Sequence, residues 1–350
     1  AFISCLFRLQ EGLKPYFFFF LWMFGLIFTG FLFTACDNEL VVTDKWKDIP
    51  IVWAFLSKSD TAVYIRVEKA FLDPNVSADS IALIADSLYY PNAVVKLKRI
   101  ASGQEYTLTR VDGSLEGYPR EDGAFAQFPN YLYKIKGNII NLVVGDEYQF
   151  ILKRNEQADL VTAETIILPA PVLRNPSPGT NLLFKPNVTF TFSWNEIPDA
   201  GVYDLQMRFN YSEKSPETGN LFIPLSVQWT IAQGIEDPEG STDPGYKMDG
   251  AEFYNSVSAN IDVDPDATRL FESIDIIVWC GGKEFQDYQT ITLANTGLTS
   301  TQEIPEYTNL SEGKGIFTSR GVSYNMDFGL HNQSLDSLKN GSVTGDLNFQ

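Results

Sequence analysis

Apolar and polar residues alternate one by one along much of this chain, and a period of two can be buried on one face only by a β-strand. Val63, Ile65 and Val67 alternate with Tyr64, Arg66 and Glu68. Val95 and Leu97 alternate with Lys96 and Lys98, and Tyr106 and Leu108 with Thr107 and Thr109. Farther on, Thr191 and Ser193 separate Phe190, Phe192 and Trp194, and Asp204 and Gln206 separate Tyr203, Leu205 and Met207. Residues 51–56 and 274–278 are instead nearly all apolar, as expected of strands covered on both faces. Residues 131–135, 148–152 and 161–168 add further strand signals. Helical spacing is local. Ile81, Ile84 and Leu88 follow Ser77 and Asp79, which suit a helix cap, and Phe253, Val257 and Ile261 fit a second short helix. Residues 285–288 suit the start of a helical turn, and residues 236–250, with Pro238, Gly240, Pro244 and Gly245, read as a long loop. The expected class is mainly β with a few short helices.

Proline sets the domain boundary, because it cannot donate to a sheet ladder. Pro169-Ala170-Pro171 and Asn175-Pro176-Ser177-Pro178-Gly179 divide the chain into strand-rich units at 49–168 and 169–350, the second with a C-terminal extension. In the first, Tyr148 follows the acidic turn Gly145-Asp146-Glu147 and resembles the tyrosine corner of immunoglobulin-like sandwiches. In the second, Trp194 on one strand and Tyr203 on the next resemble the start of a fibronectin type III domain. Two immunoglobulin/fibronectin III-like β-sandwiches are therefore expected.

Residues 16–33 carry no charge, follow Lys14 and end at Phe33-Thr34-Ala35-Cys36. A basic flank, an apolar run and small residues before a cut describe a secretory leader. The small residues before Cys36 resemble a bacterial lipobox, with Phe33 where leucine is usual. That resemblance makes residues 1–36 a signal peptide, Cys36 the acylated first residue and 37–48 a polar tether. An uncleaved membrane anchor and a freely secreted protein are the alternatives. Cys280 is then the single cysteine of the folded part, so no internal disulfide is available and core burial has to hold the chain together. Its apolar surroundings suit a buried thiol rather than a nucleophile.

The Cys36 junction, Ile65-Arg66-Val67-Glu68-Lys69-Ala70-Phe71, Asp86-Ser87-Leu88-Tyr89-Tyr90, Val278-Trp279-Cys280-Gly281-Gly282-Lys283-Glu284-Phe285 and residues 307–320 together resemble an uncharacterised family of Bacteroidota outer-membrane lipoproteins, the domain of unknown function 4249 type. The resemblance spans nearly all of the chain beyond Cys36. It implies a lipid-anchored outer-membrane protein at the cell surface or periplasmic face, often encoded beside a TonB-dependent receptor, and it carries no catalytic residue.

Charge excludes one class of partner. The net charge is -18, and beyond residue 36 there are 24 basic against 43 acidic side chains. Phosphate binding needs clustered lysine and arginine, so no nucleic acid is expected. The lone His331, in a polar segment, leaves no Ser-His-Asp or Cys-His arrangement and no zinc set. Paired carboxylates of a hydrolase cannot be located by inventory. Asp262, Asp264 and Asp266 alternate as calcium ligands can, but no glycine stands at the sixth position of that loop and Ser273 stands at the twelfth; a solvated turn is the simpler reading. The expected role is non-enzymatic: an accessory binding or assembly partner of a TonB-dependent transporter, with the 236–250 loop and Asn309, Gly313, Gly315, Phe317 and Arg320 as the contact surface. Alternatively, residues 309–320 form a glycine-turned hairpin closing the second domain. Rival roles are a glycan-binding surface lipoprotein, with Tyr131 and Trp229 as stacking aromatics, and an adhesion or structural protein.

Overall fold

Strand β1 (Pro50–Leu56) shows how the apolar run at 51–56 is covered on both faces. Val52, Ala54 and Leu56 are completely buried in one core, while Trp53 and Phe55 on the other face pack under a helix. The computed structural model describes residues 48–71, 76–236, 243–295 and 305–350. β1 pairs with β2 (Ala62–Lys69), whose Val63, Ile65 and Val67 enter the same core. Ser77 caps α1 (Ala78–Ala82), followed at once by α2 (Ala85–Leu88), so the helical spacing there is split between two short helices. β3 (Val94–Arg99) pairs with β4 (Gln104–Thr107), and β5 (Thr109–Asp112) pairs with β6 (Tyr131–Lys136). The chain changes sheet at Leu108, so one alternating run in the sequence serves two sheets. Helix α3 (Gly137–Ile140) precedes β7 (Glu147–Lys153), and β7 pairs with β8 (Val161–Ile166). One sheet of the first sandwich is ordered β1-β2-β6-β5 and the other β4-β3-β7-β8. Tyr148 makes the expected corner: it is fully buried, and its hydroxyl accepts from Val143 N–H at 3.3 Å.

The second sandwich repeats the plan. β9 (Leu173–Asn175), β11 (Thr189–Trp194) and β14 (Gly245–Asp249) form a three-stranded sheet ordered β14-β11-β9. Against it lie the long strands β12 (Ala200–Lys214), β13 (Ile223–Ile235) and β15 (Thr268–Gly282). Trp194 and Tyr203 meet in the core with ring centroids 5.5 Å apart, and the Tyr203 hydroxyl accepts from Ile197 N–H at 3.1 Å. Helix α4 (Gly250–Asn260) opens with a capping box of Asp249 and Glu252 and buries Phe253, Tyr254 and Val257. Residues 245–249, expected as loop, are strand because Met248 enters the core while Tyr246 and Lys247 pair with Phe192 and Thr191.

Helix α5 (Lys283–Asn295) follows β15, and β16 (Lys314–Leu330) then runs through both sandwiches. Residues 314–319 lie parallel to β1, with Val52 opposite Gly315 and Ala54 opposite Phe317. Residues 320–328 lie antiparallel to β15, and the strand's end pairs with β10 (Asn181–Leu182). Helix α6 (Asn332–Asn340) follows, and the chain then returns to β15, where Phe349 bridges to Arg269. β16 thereby fuses one sheet of each sandwich into a nine-stranded sheet. Residues 309–320 do not form a hairpin of the second unit: 309–313 lead in without regular structure, and 314–319 pair with β1 of the first sandwich. Asp48–Gln350 is accordingly one compact unit with two cores rather than two separable segments of chain.

Candidate functional site

The face of the nine-stranded sheet that points away from both cores carries α5, and three glycines let it approach. A Cβ at Gly281 would stand 2.7 Å from Phe285 Cδ1, one at Gly201 2.7 Å from Gln286 Cβ, and one at Gly282 2.5 Å from Glu284 Oε2. Phe285 then meets Phe55 edge-on at 5.3 Å and Tyr288 meets Trp53 edge-on at 5.4 Å, the favoured geometry for aromatic pairs.

Beside α5, at the seam of the two sandwiches, lies a cavity of about 250 Å³ lined by Phe55, Asp204, Gln206, Trp279, Phe285 and Arg320. The alternation of β12 and β15 places these side chains: Tyr203, Leu205 and Val278 go to the core, so Asp204, Gln206 and Trp279 face out. The Arg320 guanidinium sits 5.1 Å from the centre of the Trp279 ring, and its Nη2 donates to Asp60 Oδ2 at 3.1 Å in the turn after β1. Tyr324 meets the same indole edge-on at 6.5 Å. Asp204 accepts from Gly234 N–H at 2.8 Å. The groove thus offers aromatic surface, a carboxylate, an amide and a guanidinium on rigid strands of both sandwiches. A second, more apolar cavity of about 580 Å³ includes Ile51, Trp53, Tyr288, Ile291, Tyr307 and Lys314.

Burial shifts three ionisable groups nearby toward their neutral forms. Burial pushes the Cys280 thiol up to about 12; its side chain points into the second core and donates to Pro169 O at 3.7 Å. Thiolate is the nucleophilic form, so this sulfur is a packing group. Burial raises Glu284 above the ordinary carboxylate range although the Thr318 hydroxyl donates to it at 2.9 Å. Burial, with the carboxylates of Asp287 and Glu284 adding to it, pushes the Tyr307 phenol up to about 12.

Of the binding and metal-site candidates named from the sequence, Arg320 alone lines the seam groove. Asn309 is structural: its side-chain amide donates to Phe317 O at 2.7 Å and its carbonyl accepts from Phe317 N–H at 3.0 Å, clamping the incoming strand. Phe317 is completely buried in the first core. Gly313 and Gly315 have φ of +111° and +96°, and a Cβ on them would meet Pro50 O at 2.3 Å and Val52 O at 2.0 Å, so the approach of β16 to β1 admits no side chain there. Both also border the larger cavity. Tyr131 is packed edge-on against Tyr89 at 5.1 Å with the Arg110 guanidinium 4.3 Å over its ring. Trp229 belongs to the other sandwich, against Phe253 at 6.5 Å, so the two aromatics make no common platform. Asp264 Oδ1 accepts from Asp266 N–H at 2.9 Å and the Asp262 carbonyl accepts from Arg269 at 3.0 Å. That is a self-satisfied turn, and among the described residues no three His, Cys, Asp or Glu side chains converge on a metal position. His331 caps α6, its Nδ1 accepting from Gln333 N–H at 3.2 Å. Cys36 and residues 237–242 of the expected contact loop lie outside the described residues. Among those described, no helix is long and apolar enough to cross a membrane. Asp204, Gln206, Trp279 and Phe285 are the groove residues that sequence reasoning passed over; the wet face of 203–208 and the Gly281-Gly282 pair before Phe285 were the available signals.

No family model and no curated protein matches the chain. Among solved structures, the C-terminal globular domain of an oligosaccharyltransferase from Pyrococcus abyssi is similar over 65% of this chain and 47% of its own, at 11% identity and a TM-score of 0.23. This chain therefore spans about half the length of that domain. The fibronectin(III)-like modules of Clostridium thermocellum CbhA are similar over 66% of this chain and 85% of theirs, at 10% identity and a TM-score of 0.21.

Proposed function

We propose that the chain is a non-enzymatic binding protein, tethered to the outer membrane through lipid on Cys36, that serves as an accessory partner of a TonB-dependent transporter and receives its partner at the seam groove. The observation that carries the binding role is the groove itself: Asp204, Gln206, Trp279 and Arg320 on strands, Phe285 on α5 and Phe55 on β1 converge at the seam of the two sandwiches. Concave surfaces that mix aromatic area with a few fixed polar groups suit recognition. The address rests on the leader ending at Cys36 and on the family resemblance. Affinity purification of the tagged lipoprotein from mild-detergent membranes, with mass spectrometry, is expected to recover a barrel partner in stoichiometric amount from the native chain and to lose it from Trp279→Ala/Arg320→Ala. Palmitate label is expected to enter the native chain and not Cys36→Ala. A glycan ligand is the second reading, favoured by the Asp204 and Gln206 side chains beside the Trp279 indole. Polysaccharide binding that Trp279→Ala abolishes and Tyr131→Ala leaves intact would select it, whereas a barrel recovered equally with the double variant would sink the groove as the contact.

A further inference from the structure

Among the described residues every sheet ends in edge strands, and one edge is unlike the others. Unpaired edges are templates for association, and proteins usually blunt them with charge, proline, bulges or shortness. At one end of the nine-stranded sheet, β5 has four residues, including Arg110 and Asp112. β4 carries Glu105, β8 carries Glu164 and is met by Ser311, β9 carries Arg174, and β14 carries Lys247 and Asp249. At the other end of the nine-stranded sheet, β13 has 13 residues and no charge at all. The uncharged run extends from Thr218 to Ile235, between Glu217 and Glu236. Its interruptions lie toward the two ends: Pro224 near the start, and from Ile231 onward two register shifts against Leu205 of β12, followed by Gly234 with φ of +64°. Between them, Leu225 to Thr230 pair with β12 in unbroken register, and among the described residues the opposite edge of β13 has no backbone partner.

We infer that the free edge of β13 pairs with β13 of a second copy of this chain, antiparallel about a twofold axis. The occupant follows from charge. The chain carries a net charge of -18, so most surface patches of two copies repel, and this edge is a place where backbones can meet with no like charges opposed. The strand is also complementary to itself. With Gln228 opposite its own copy, Val227 faces Trp229 on the core side and Ser226 faces Thr230 on the outer side, all within the regular stretch 225–230. Leu225, Val227, Trp229 and Ile231 are only partly buried against the second core, so a further strand would complete their cover. Leu221, Phe222 and Ile223, exposed by 69%, 43% and 39%, would lie over the end of the second copy's strand. Gln228 is already oriented: its Oε1 accepts from Arg208 Nε and Nη2 at 3.1 and 3.0 Å, and its Nε2 donates to Gln206 at 2.8 Å.

The test is the mass in solution of the full chain in mild detergent, by sedimentation or light scattering at about 100 µM, where millimolar contacts stay largely dissociated. The native chain is expected at twice the protomer mass. Ser226→Lys/Thr230→Lys sets lysine opposite lysine at exposed positions away from the core; it is expected to be monomeric with unchanged circular dichroism, a weakening of at least tenfold. Ser226→Lys/Thr230→Glu sets each lysine opposite a glutamate and is expected to restore the dimer. A native chain that is monomeric, a Lys/Lys variant that stays dimeric, or a Lys/Glu variant that stays monomeric overturns the pairing.

Discussion

The two sandwiches follow the same plan but differ in what they own. All but one of the residues buried in the second core lie between Leu173 and Phe349, the exception being Leu168 at the boundary. The first core takes its residues from Val52 to Ile167 and then borrows Leu310 and Phe317 from more than 140 positions downstream. Its β1 would otherwise be a bare edge of alternating Val52, Ala54 and Leu56. The loan is tied down at several points. Arg154, almost wholly buried, reaches Glu312 at 2.7 Å and the Asp48 carbonyl at 2.8 Å, and Ser311 exchanges backbone and side-chain hydrogen bonds with Thr162 at 2.8 and 2.9 Å. A sequence boundary can therefore separate two cores without separating two folding units. The first sandwich is complete only with β16 laid against β1.

The largest effect that could break this asymmetry comes from cutting the chain. A fragment ending at Leu168 is expected to lack a cooperative urea transition, whereas a fragment of 169–350 is expected to keep one. A cooperative transition in the shorter fragment would show that the borrowed strand is an ornament. In the whole chain, Phe317→Ala is expected to cost about 3–5 kcal/mol, the usual range for truncating a buried phenylalanine. Gly315→Ala should cost about 3 kcal/mol or more, since φ of +96° and the Val52 carbonyl both resist a Cβ. Phe209→Ala in the second core should match Phe317→Ala, and both should move a single urea midpoint, because one strand is shared. Two separate midpoints would mean the seam does not couple the sandwiches.

The sequence declares the strands and both cores far better than their wiring. Alternation fixed the faces of 63–67, 95–98, 190–194 and 203–208, because side-chain period is a local property of extended backbone. The tail was ambiguous for a physical reason. Residues 314–319 pair parallel with β1 from more than 250 positions away, and no local pattern encodes a partner at that separation. Gly313 and Gly315 suggested a turn, whereas their positive φ serves a close strand crossing. Residues 245–249 were hidden by Pro244 and Gly245 at their start. The groove was legible only in part: Arg320 stood out, but nothing local set Trp279 apart from the core-facing Val278 and Cys280 beside it until α5 and the seam gave it an outer face to line.

A smaller effect sharpens the likeness rather than the difference. Tyr148→Phe and Tyr203→Phe each remove a buried hydroxyl that accepts from a backbone N–H five or six residues upstream. Each is expected to cost about 1–2 kcal/mol, most of it the unmet N–H left behind. Near-equal losses in urea titrations would show that the two corners do the same work; a loss confined to Tyr148 would mean that the second sandwich holds its corner by packing of Trp194 alone.

The smallest effect concerns the seam that joins the two. Glu284, at the start of α5, bonds to Thr318 of the borrowed segment, and burial raises its carboxyl above the ordinary range. The native state therefore holds that proton at pH values where the unfolded chain has released it, beginning near the ordinary glutamate value of about 4.3. With more protons bound in the native state than in the unfolded, this group makes stability fall as pH rises through that window, level off above the raised value, and recover on acidification. Glu284→Gln keeps a neutral side chain that can still accept from Thr318, so the variant should lose this slope while matching the native chain at the acid end of the window. Urea midpoints measured from about pH 4 to pH 8 decide it: parallel curves for the two chains would mean that the Glu284 carboxylate is solvated at the seam and that α5 sits more loosely over β16 than its contacts imply.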